Sequence, residues 1–206
     1  MSIFAKIVNM KKNIIIIAGP TGSGESAVTR SLLEKFGNFR RLITATSRQP
    51  RMKENNVLEQ EGIDYFYFSK EKFLTLVENG TIIEYTYVES RDVYYGTYKP
   101  YLDELVQNDY VIVMNPDLVG TKFYKENYNA TTIFLKPESL DVLRTRLSER
   151  QSNLTEEELE KRIKDAQVEL EDEKFYDYSL INYQGKLDET VDKVIEIMKK
   201  EGYPIF

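Results

Sequence analysis

The sequence predicts an α/β domain: a parallel sheet of the type found in nucleotide-binding proteins, with helices on both faces. Short apolar runs rich in β-branched residues, typical of buried strands, alternate along the chain with runs at helical spacing. The first apolar run, residues 14–18, leads directly into a glycine-rich turn and then into an amphipathic segment. At 206 residues the chain is long enough for one compact fold unit with small additions.

The predicted elements follow in chain order. Strands are expected at residues 14–18, 41–46, 64–68, 81–89, 110–114, 131–135 and 178–183. Helices are expected at residues 26–33, 69–79, 98–107, after 115–117, from 137 through 147, at 156–174 and at 188–200. Ser69 predicts a helix cap, Gly80 a helix end and Pro137 a helix start. Thr155 and Glu158 have the spacing of a capping box.

Residues 19–26 read G-P-T-G-S-G-E-S and match the phosphate-binding loop G-x-x-x-x-G-K-[ST] in every defining position except one. The glycines let backbone N–H groups converge on phosphate oxygens, and the following helix adds the positive end of its dipole. The lysine of the motif is replaced by Glu25. The predicted residues for binding the nucleotide cofactor are Gly19, Pro20, Thr21, Gly22, Ser23, Gly24, Glu25 and Ser26, and Ser26 is also the predicted Mg²⁺ ligand.

Glu25 has two interpretations. A carboxylate in the first turn of a helix is favourable by about 0.3 to 1 kcal/mol, which suits an empty loop. With a nucleotide bound, the same carboxylate repels the phosphates, so Mg²⁺ or arginines from elsewhere in the chain must offset its charge.

Composition limits the chemistry further. The chain has no cysteine and no histidine, which excludes disulfides, thiolate metal sites and imidazole catalysis. Its net charge of −6 argues against a nucleic-acid partner. No apolar run is long enough for a signal sequence or a membrane span, so we expect a cytoplasmic protein.

Seven short motifs then appear in a fixed order after the loop: T-x-T-S-R-x-P-R, G-I-D-Y-F-Y-F, I-I-E-Y, Y-Y-G-T, N-P-D-L-V-G, T-I-F-L-K-P-E-S-L and R-x-R-L-x-x-R. Together they resemble guanylate kinase over about residues 13–200. The resemblance implies transfer of the terminal phosphoryl group of ATP to GMP or dGMP with Mg²⁺, by a monomer or homodimer. It also implies a leader (1–12), a core (13–46 and 98–200), a mixed GMP-binding section (about 47–97), a helical lid (about 146–165) and a tail (201–206).

The resemblance assigns roles to individual residues. Two arginines three positions apart match those that bind the GMP phosphate, and guanidinium groups suit bidentate phosphate contacts. Glu84 matches the carboxylate that accepts the two adjacent donors of guanine, N1–H and the exocyclic amine. The implied substrate-binding residues are Thr44, Arg48, Arg51, Tyr65, Glu84, Tyr95, Thr97 and Asp117. The implied catalytic residues are the lid arginines Arg146, Arg150 and Arg162, together with the variant Glu25.

The chain also departs from the family pattern. Residues 52–62 form a longer segment than expected, Asn115 and Val119 stand where Asp and Gln are usual, and 151–153 replace a glycine-containing turn. Three functions therefore stay open: an active guanylate kinase, a catalytically impaired module that binds GMP or phosphate, and a kinase for another nucleoside monophosphate.

Overall fold

A computed structural model describes residues 12–53, 56–150 and 155–206 of the chain. The chain divides into two compact units. The first unit contains the described residues up to Arg40 together with Val111–Phe206, and the second unit is Arg41–Tyr110.

The strands are β1 (Ile14–Ala18), β2 (Phe39–Arg41), β3 (Ala45–Thr46), β4 (Phe66–Tyr67), β5 (Ile82–Val88), β6 (Val93–Tyr98), β7 (Val111–Met114), β8 (Thr131–Pro137) and β9 (Tyr178–Asn182). The helices are α1 (Glu25–Lys35), α2 (Lys70–Glu78), α3 (Lys99–Gln107), α4 (Leu118–Tyr128), α5 (Leu140–Arg150), α6 (Glu156–Leu170) and α7 (Leu187–Lys200). Short 3₁₀ turns lie at Glu89–Arg91 and Glu171–Phe175. Among the described helices, none is long and apolar enough to cross a membrane.

The first unit is built on a five-stranded sheet in the order β2-β7-β1-β8-β9. Strand β1 runs parallel to β7 and to β8, and β9 runs parallel to β8. Ile15 and Ile17 pack in one core with apolar residues of α1 and α7. Ile14 and Ile16 point to the opposite face and are equally buried. The predicted parallel sheet, covered on both faces, is confirmed.

The second unit contains a mixed four-stranded sheet in the order β4-β3-β6-β5. Strands β3 and β4 are parallel, while β6 is antiparallel to both β3 and β5. Phe73 and Leu76 of α2 pack on Ala45 and Ile82 of the sheet. This small core fixes the strands that carry the predicted GMP-binding residues.

Two predicted elements are wrong. The strand expected at 41–46 is split, because β2 pairs in the five-stranded sheet and β3 pairs in the other sheet. Pro137 ends β8, where it pairs with Asn182, and α5 begins only at Leu140. A strand end tolerates proline because no ladder N–H is needed there.

Strand β6 was not predicted at all, since its sequence V-Y-Y-G-T-Y lacks apolar alternation. The capping predictions are confirmed. Ser69 accepts a hydrogen bond from the backbone N–H of Lys72, and Thr155 and Glu158 form the capping box of α6.

Candidate active site

The phosphate-binding loop connects β1 to α1 and is folded too tightly for side chains at its glycines. Gly22 and Gly24 have φ angles of 97° and 103°, in the left-handed region that glycine adopts without strain. A Cβ atom at Gly19 would lie 2.2 Å from the carbonyl oxygen of Leu135. A Cβ atom at Gly24 would lie 2.2 Å from the side-chain nitrogen of Asn182. The loop therefore needs these glycines, as the motif predicts.

Two side chains from other elements hold the loop by its carbonyl oxygens. The amide Nδ2 of Asn182 donates to the carbonyl of Ser23 at 2.7 Å, and its Oδ1 accepts from the hydroxyl of Thr190 at 2.9 Å. The guanidinium of Arg146 donates to the carbonyl of Gly22 at 3.3 Å and to that of Asn182 at 2.8 Å. Arg146 of α5, a predicted catalytic residue, thus lies against the loop. The sequence analysis missed Asn182.

Carboxylates engage two backbone donors of the loop. Glu25 accepts a hydrogen bond from the N–H of Gly24, with 3.0 Å between the nitrogen and Oε2. Near the start of the loop, the N–H of Thr21 donates to the carboxylate of Glu169. Desolvation raises the pKa of Glu169, whereas the hydrogen bond from Thr21 acts in the opposite direction. A phosphate group that binds either of these N–H groups must displace the carboxylate that already accepts from it.

Asn115 is exposed, and its side chain also ties β1 to α1. Its amide donates to the carbonyl of Ile17 at 2.7 Å and shares hydrogen bonds of 3.1 and 3.3 Å with the hydroxyl of Thr29. Ser26 is exposed in the first turn of α1. No group of three acidic residues that could hold a metal occurs in the described part of the chain. Mg²⁺ usually takes one or two protein oxygens together with phosphate oxygens and water. The hydroxyl of Ser26 fits such a partial ligand set.

A cavity of about 360 Å³ lies beside the loop within the first unit. Its lining includes Gly19, Thr21, Asp117, Glu169 and Tyr176. Asp117 also caps α4, since its carboxylate accepts from the N–H of Gly120 at 2.9 Å. One residue predicted to bind the substrate, Asp117, therefore lines the same cavity as the loop.

In the second unit, Arg48 contacts two other residues predicted to bind the substrate, Tyr65 and Tyr95. The Nε of Arg48 donates to the hydroxyl of Tyr95 at 3.2 Å. Its guanidinium carbon lies 4.7 Å from the ring centre of Tyr65, a cation–π arrangement. The two tyrosine rings are 5.9 Å apart. Arg51 follows three residues later, and its side chain is exposed.

Two other predicted substrate-binding residues of this unit, Glu84 and Thr97, contact each other. The hydroxyl of Thr97 donates to Oε2 of Glu84 at 3.3 Å. Thr44 and Tyr65 line a cavity of about 350 Å³ in the same unit. The family resemblance implied the role of Glu84, and the neighbouring strand β6 gives it the Thr97 partner.

Glu59, which no sequence motif indicated, is the main partner of Arg48. Their ion pair is bidentate, at 2.5 and 2.9 Å, and the two side chains are only 8% and 15% exposed. Glu59 also accepts from the N–H of Arg51 at 2.8 Å and from the hydroxyl of Tyr67 at 3.0 Å. The hydrogen bonds from Arg48 lower the pKa of Glu59 to about 2. The same contact raises the pKa of Arg48 above its usual value.

Two further predicted catalytic residues, Arg150 and Arg162, belong to α5 and α6. Arg162 lies on α6, which packs against α5 through Leu147 and Ile163. The side chain of Arg150, the turn at 151–153 and residues 1–11 of the predicted leader lie outside the described part of the chain.

Comparison with known proteins identifies the family. The family model described as guanylate kinase matches residues 11–201. The chain belongs to the guanylate kinase family. The guanylate kinase of Rickettsia felis is 34% identical over 200 residues, which cover 97% of this chain and 99% of that protein. The guanylate kinase of Oceanobacillus iheyensis is 34% identical, with coverage of 95% and 90%.

A crystal structure of guanylate kinase from Anaplasma phagocytophilum matches with a TM-score of 0.68 and 27% identity, covering 95% of this chain and 89% of that chain. The guanylate kinase resemblance and the fold predicted from the sequence are thereby confirmed. In the structure, Glu25 and Asn115 each make hydrogen bonds with the backbone of this region.

Proposed function

We propose that this protein transfers the terminal phosphoryl group of ATP to GMP, giving ADP and GDP. The observation that carries the proposal is the guanidinium of Arg48, held by the hydroxyl of Tyr95 and the face of Tyr65. A guanidinium held in place by neighbouring side chains presents positive charge and an N–H donor of fixed direction to a phosphate monoester. Membership of the guanylate kinase family supports GMP as that monoester.

Guanine recognition is assigned to Glu84 and Thr97. The Thr97 hydroxyl bonds to one oxygen of the Glu84 carboxylate. A carboxylate can accept from the two adjacent donors of guanine, N1–H and the exocyclic amine. Adenine has no such pair of donors. Thr44 and Asp117 are assigned to the acceptor as well, and Arg51 to its phosphate.

Phosphoryl transfer is assigned to the loop and the lid. An oxygen of the GMP phosphate forms a bond to the terminal phosphorus of ATP as the bond to the bridging oxygen of ADP breaks. Mg²⁺, held by Ser26 and the phosphates, would neutralise charge on the transferred group. Backbone N–H groups of the loop bind the donor phosphates, and Arg146, Arg150 and Arg162 stabilise the charge that develops during transfer.

A second candidate function is a binding module that holds GMP or phosphate without transfer. One observation favours it: the Glu25 carboxylate already occupies the N–H of Gly24. A single assay separates the two functions. Wild-type protein with ATP, Mg²⁺ and GMP should form ADP and GDP, whereas the module should bind GMP without turnover.

Acceptor selectivity tests the assignment of Glu84. GMP and dGMP should be phosphorylated, and AMP should be rejected by up to about 10⁴-fold, because adenine lacks the pair of donors that the Glu84 carboxylate accepts from guanine. Glu84→Gln replaces an acceptor oxygen by a donor, so its kcat/KM for GMP should fall by about tenfold or more. Glu89→Gln, an exposed glutamate of the same unit, is the matched control. Equal use of GMP and AMP by the wild type would instead indicate a kinase for another nucleoside monophosphate.

The cytoplasmic location and the monomeric or dimeric state stay predictions from the sequence.

A further inference from the structure

Glu59 makes more contacts than an ion pair with Arg48 requires. Its carboxylate accepts four hydrogen bonds from three residues: two from Arg48, one from the backbone N–H of Arg51 and one from the hydroxyl of Tyr67. The side chain is 15% exposed. Releasing the carboxylate would leave the hydroxyl of Tyr67 without this partner, which costs free energy in a half-buried setting. Glu59 is therefore anchored independently of Arg48.

The guanidinium of Arg48 uses most of its N–H donors within the protein. A guanidinium has five N–H groups. Nε donates to Tyr95, one Nη1 proton to the carbonyl of Gln49 and the other to Glu59. Nη2 uses one of its two protons for Glu59. Among the described residues, none accepts from the second N–H of Nη2, and the bonds at the other donors fix its direction.

Glu59 also connects the two predicted phosphate ligands. It binds the side chain of Arg48 and, through the backbone N–H, the residue that carries the exposed guanidinium of Arg51. The sum of the three side-chain charges is positive, so the group still attracts a phosphate. Holding side chains in the binding geometry before the ligand arrives reduces the entropy lost on binding.

We propose that Glu59 is the positioning residue of the acceptor-phosphate site, acting through Arg48 and Arg51. The inference rests on the proposed function, in which these arginines bind the phosphate of GMP. In this role Glu59 acts on the two arginines rather than on the phosphate. Its contribution is to fix the plane of the Arg48 guanidinium and the backbone of Arg51.

Calorimetric titration of Glu59→Gln with GMP and with guanosine tests this role. The glutamine side chain has the shape of glutamate but no charge, and its NH₂ group places a donor towards the donors of Arg48. GMP affinity should therefore fall by about tenfold or more. Guanosine affinity should stay within about twofold of the wild type, because guanosine has no phosphate to lose. Asp92→Asn is the matched control, since it neutralises an exposed carboxylate that pairs with Lys70 in the same unit.

A double-mutant cycle shows whether the effect passes through Arg48. In an Arg48→Ala background, Glu59→Gln should weaken GMP binding by much less than in the wild type, because the group that it positions is gone. Equal losses in both backgrounds would overturn the inference. So would tighter GMP binding by Glu59→Gln, which would mean that the carboxylate occupies the phosphate position and competes with it.

Two further outcomes are decisive. A loss of guanosine binding in Glu59→Gln as large as the loss of GMP binding would show a purely structural role and overturn the inference. A wild type that binds GMP more tightly than guanosine but has no turnover would refute the proposed transfer while leaving the role of Glu59 intact.

Discussion

Two regions of the molecule each contain a glutamate whose carboxylate contacts a group predicted to bind phosphate. One is the phosphate-binding loop of the first unit, and the other is the acceptor section of the second unit, around Arg48 and Arg51. In the loop, Glu25 bonds to the N–H of the residue directly before it. In the acceptor section, Glu59 joins residues that are eleven, eight and eight positions away: Arg48, Arg51 and Tyr67. The first contact is local, whereas the second organises a tertiary site.

This difference predicts opposite consequences for the two glutamates. Replacing Glu25 removes a local contact and changes the charge beside the donor phosphates. Unit charges 4 Å apart interact by roughly 4 kcal/mol at an effective dielectric of about 20, so the effect on nucleotide binding should exceed the effect on folding. Replacing Glu59 disturbs the geometry of two arginines, so substrate binding and local stability should change together.

The largest effect is expected at Arg146, which supplies positive charge beside a loop that lacks the usual lysine. Arg146→Ala should lower turnover by on the order of 10³, the size of the loss of an arginine finger. Steady-state rates with saturating ATP, Mg²⁺ and GMP measure this. The matched control is Arg144→Ala on the same helix, whose ion pairs with Glu156 and Glu160 are exposed. Such surface pairs contribute little, so its turnover should stay near the wild-type value.

A fall of less than about tenfold in Arg146→Ala would contradict the account of the loop. Arg146 would then serve only as a tie between Gly22 and Asn182. In that case thermal stability should fall while turnover per folded molecule is kept.

The smallest effect is expected in how the free energy of unfolding of the acceptor section changes at low pH. The pKa of Glu59 is lowered to about 2 by its hydrogen bonds with Arg48, while an unfolded glutamate titrates near its usual value of about 4.3. The ion pair therefore stabilises the fold fully above the unfolded pKa, and this contribution is lost as the pH falls through the folded pKa. The difference in free energy of unfolding between the wild type and Glu59→Gln should shrink over that window in urea titrations. A difference that does not depend on pH would show that the charge of Glu59 is not its source.

The same comparison explains what could be predicted from the sequence. The loop is a contiguous motif, so its strand, glycines and helix follow from local spacing. Glu59 carries no such signal, because its partners are set by how the second unit folds. The wrong strand at 41–46 has a related cause, since the choice between two sheets is made by tertiary pairing. Asn182 was missed because its contact with Ser23 joins distant parts of the chain.

The central claim is that this loop supports phosphoryl transfer through backbone N–H groups, Mg²⁺ and arginines, without help from the side chain at position 25. The direct test is ATP affinity and turnover of the wild type, Glu25→Lys and the control Glu34→Lys, which makes the same charge change at an exposed site on the same helix. The wild type should turn over, and Glu25→Lys should raise both quantities by about tenfold for each 1.4 kcal/mol recovered. Failure of the wild type to bind ATP with Mg²⁺ present, or a loss of turnover in Glu25→Lys, would contradict the claim.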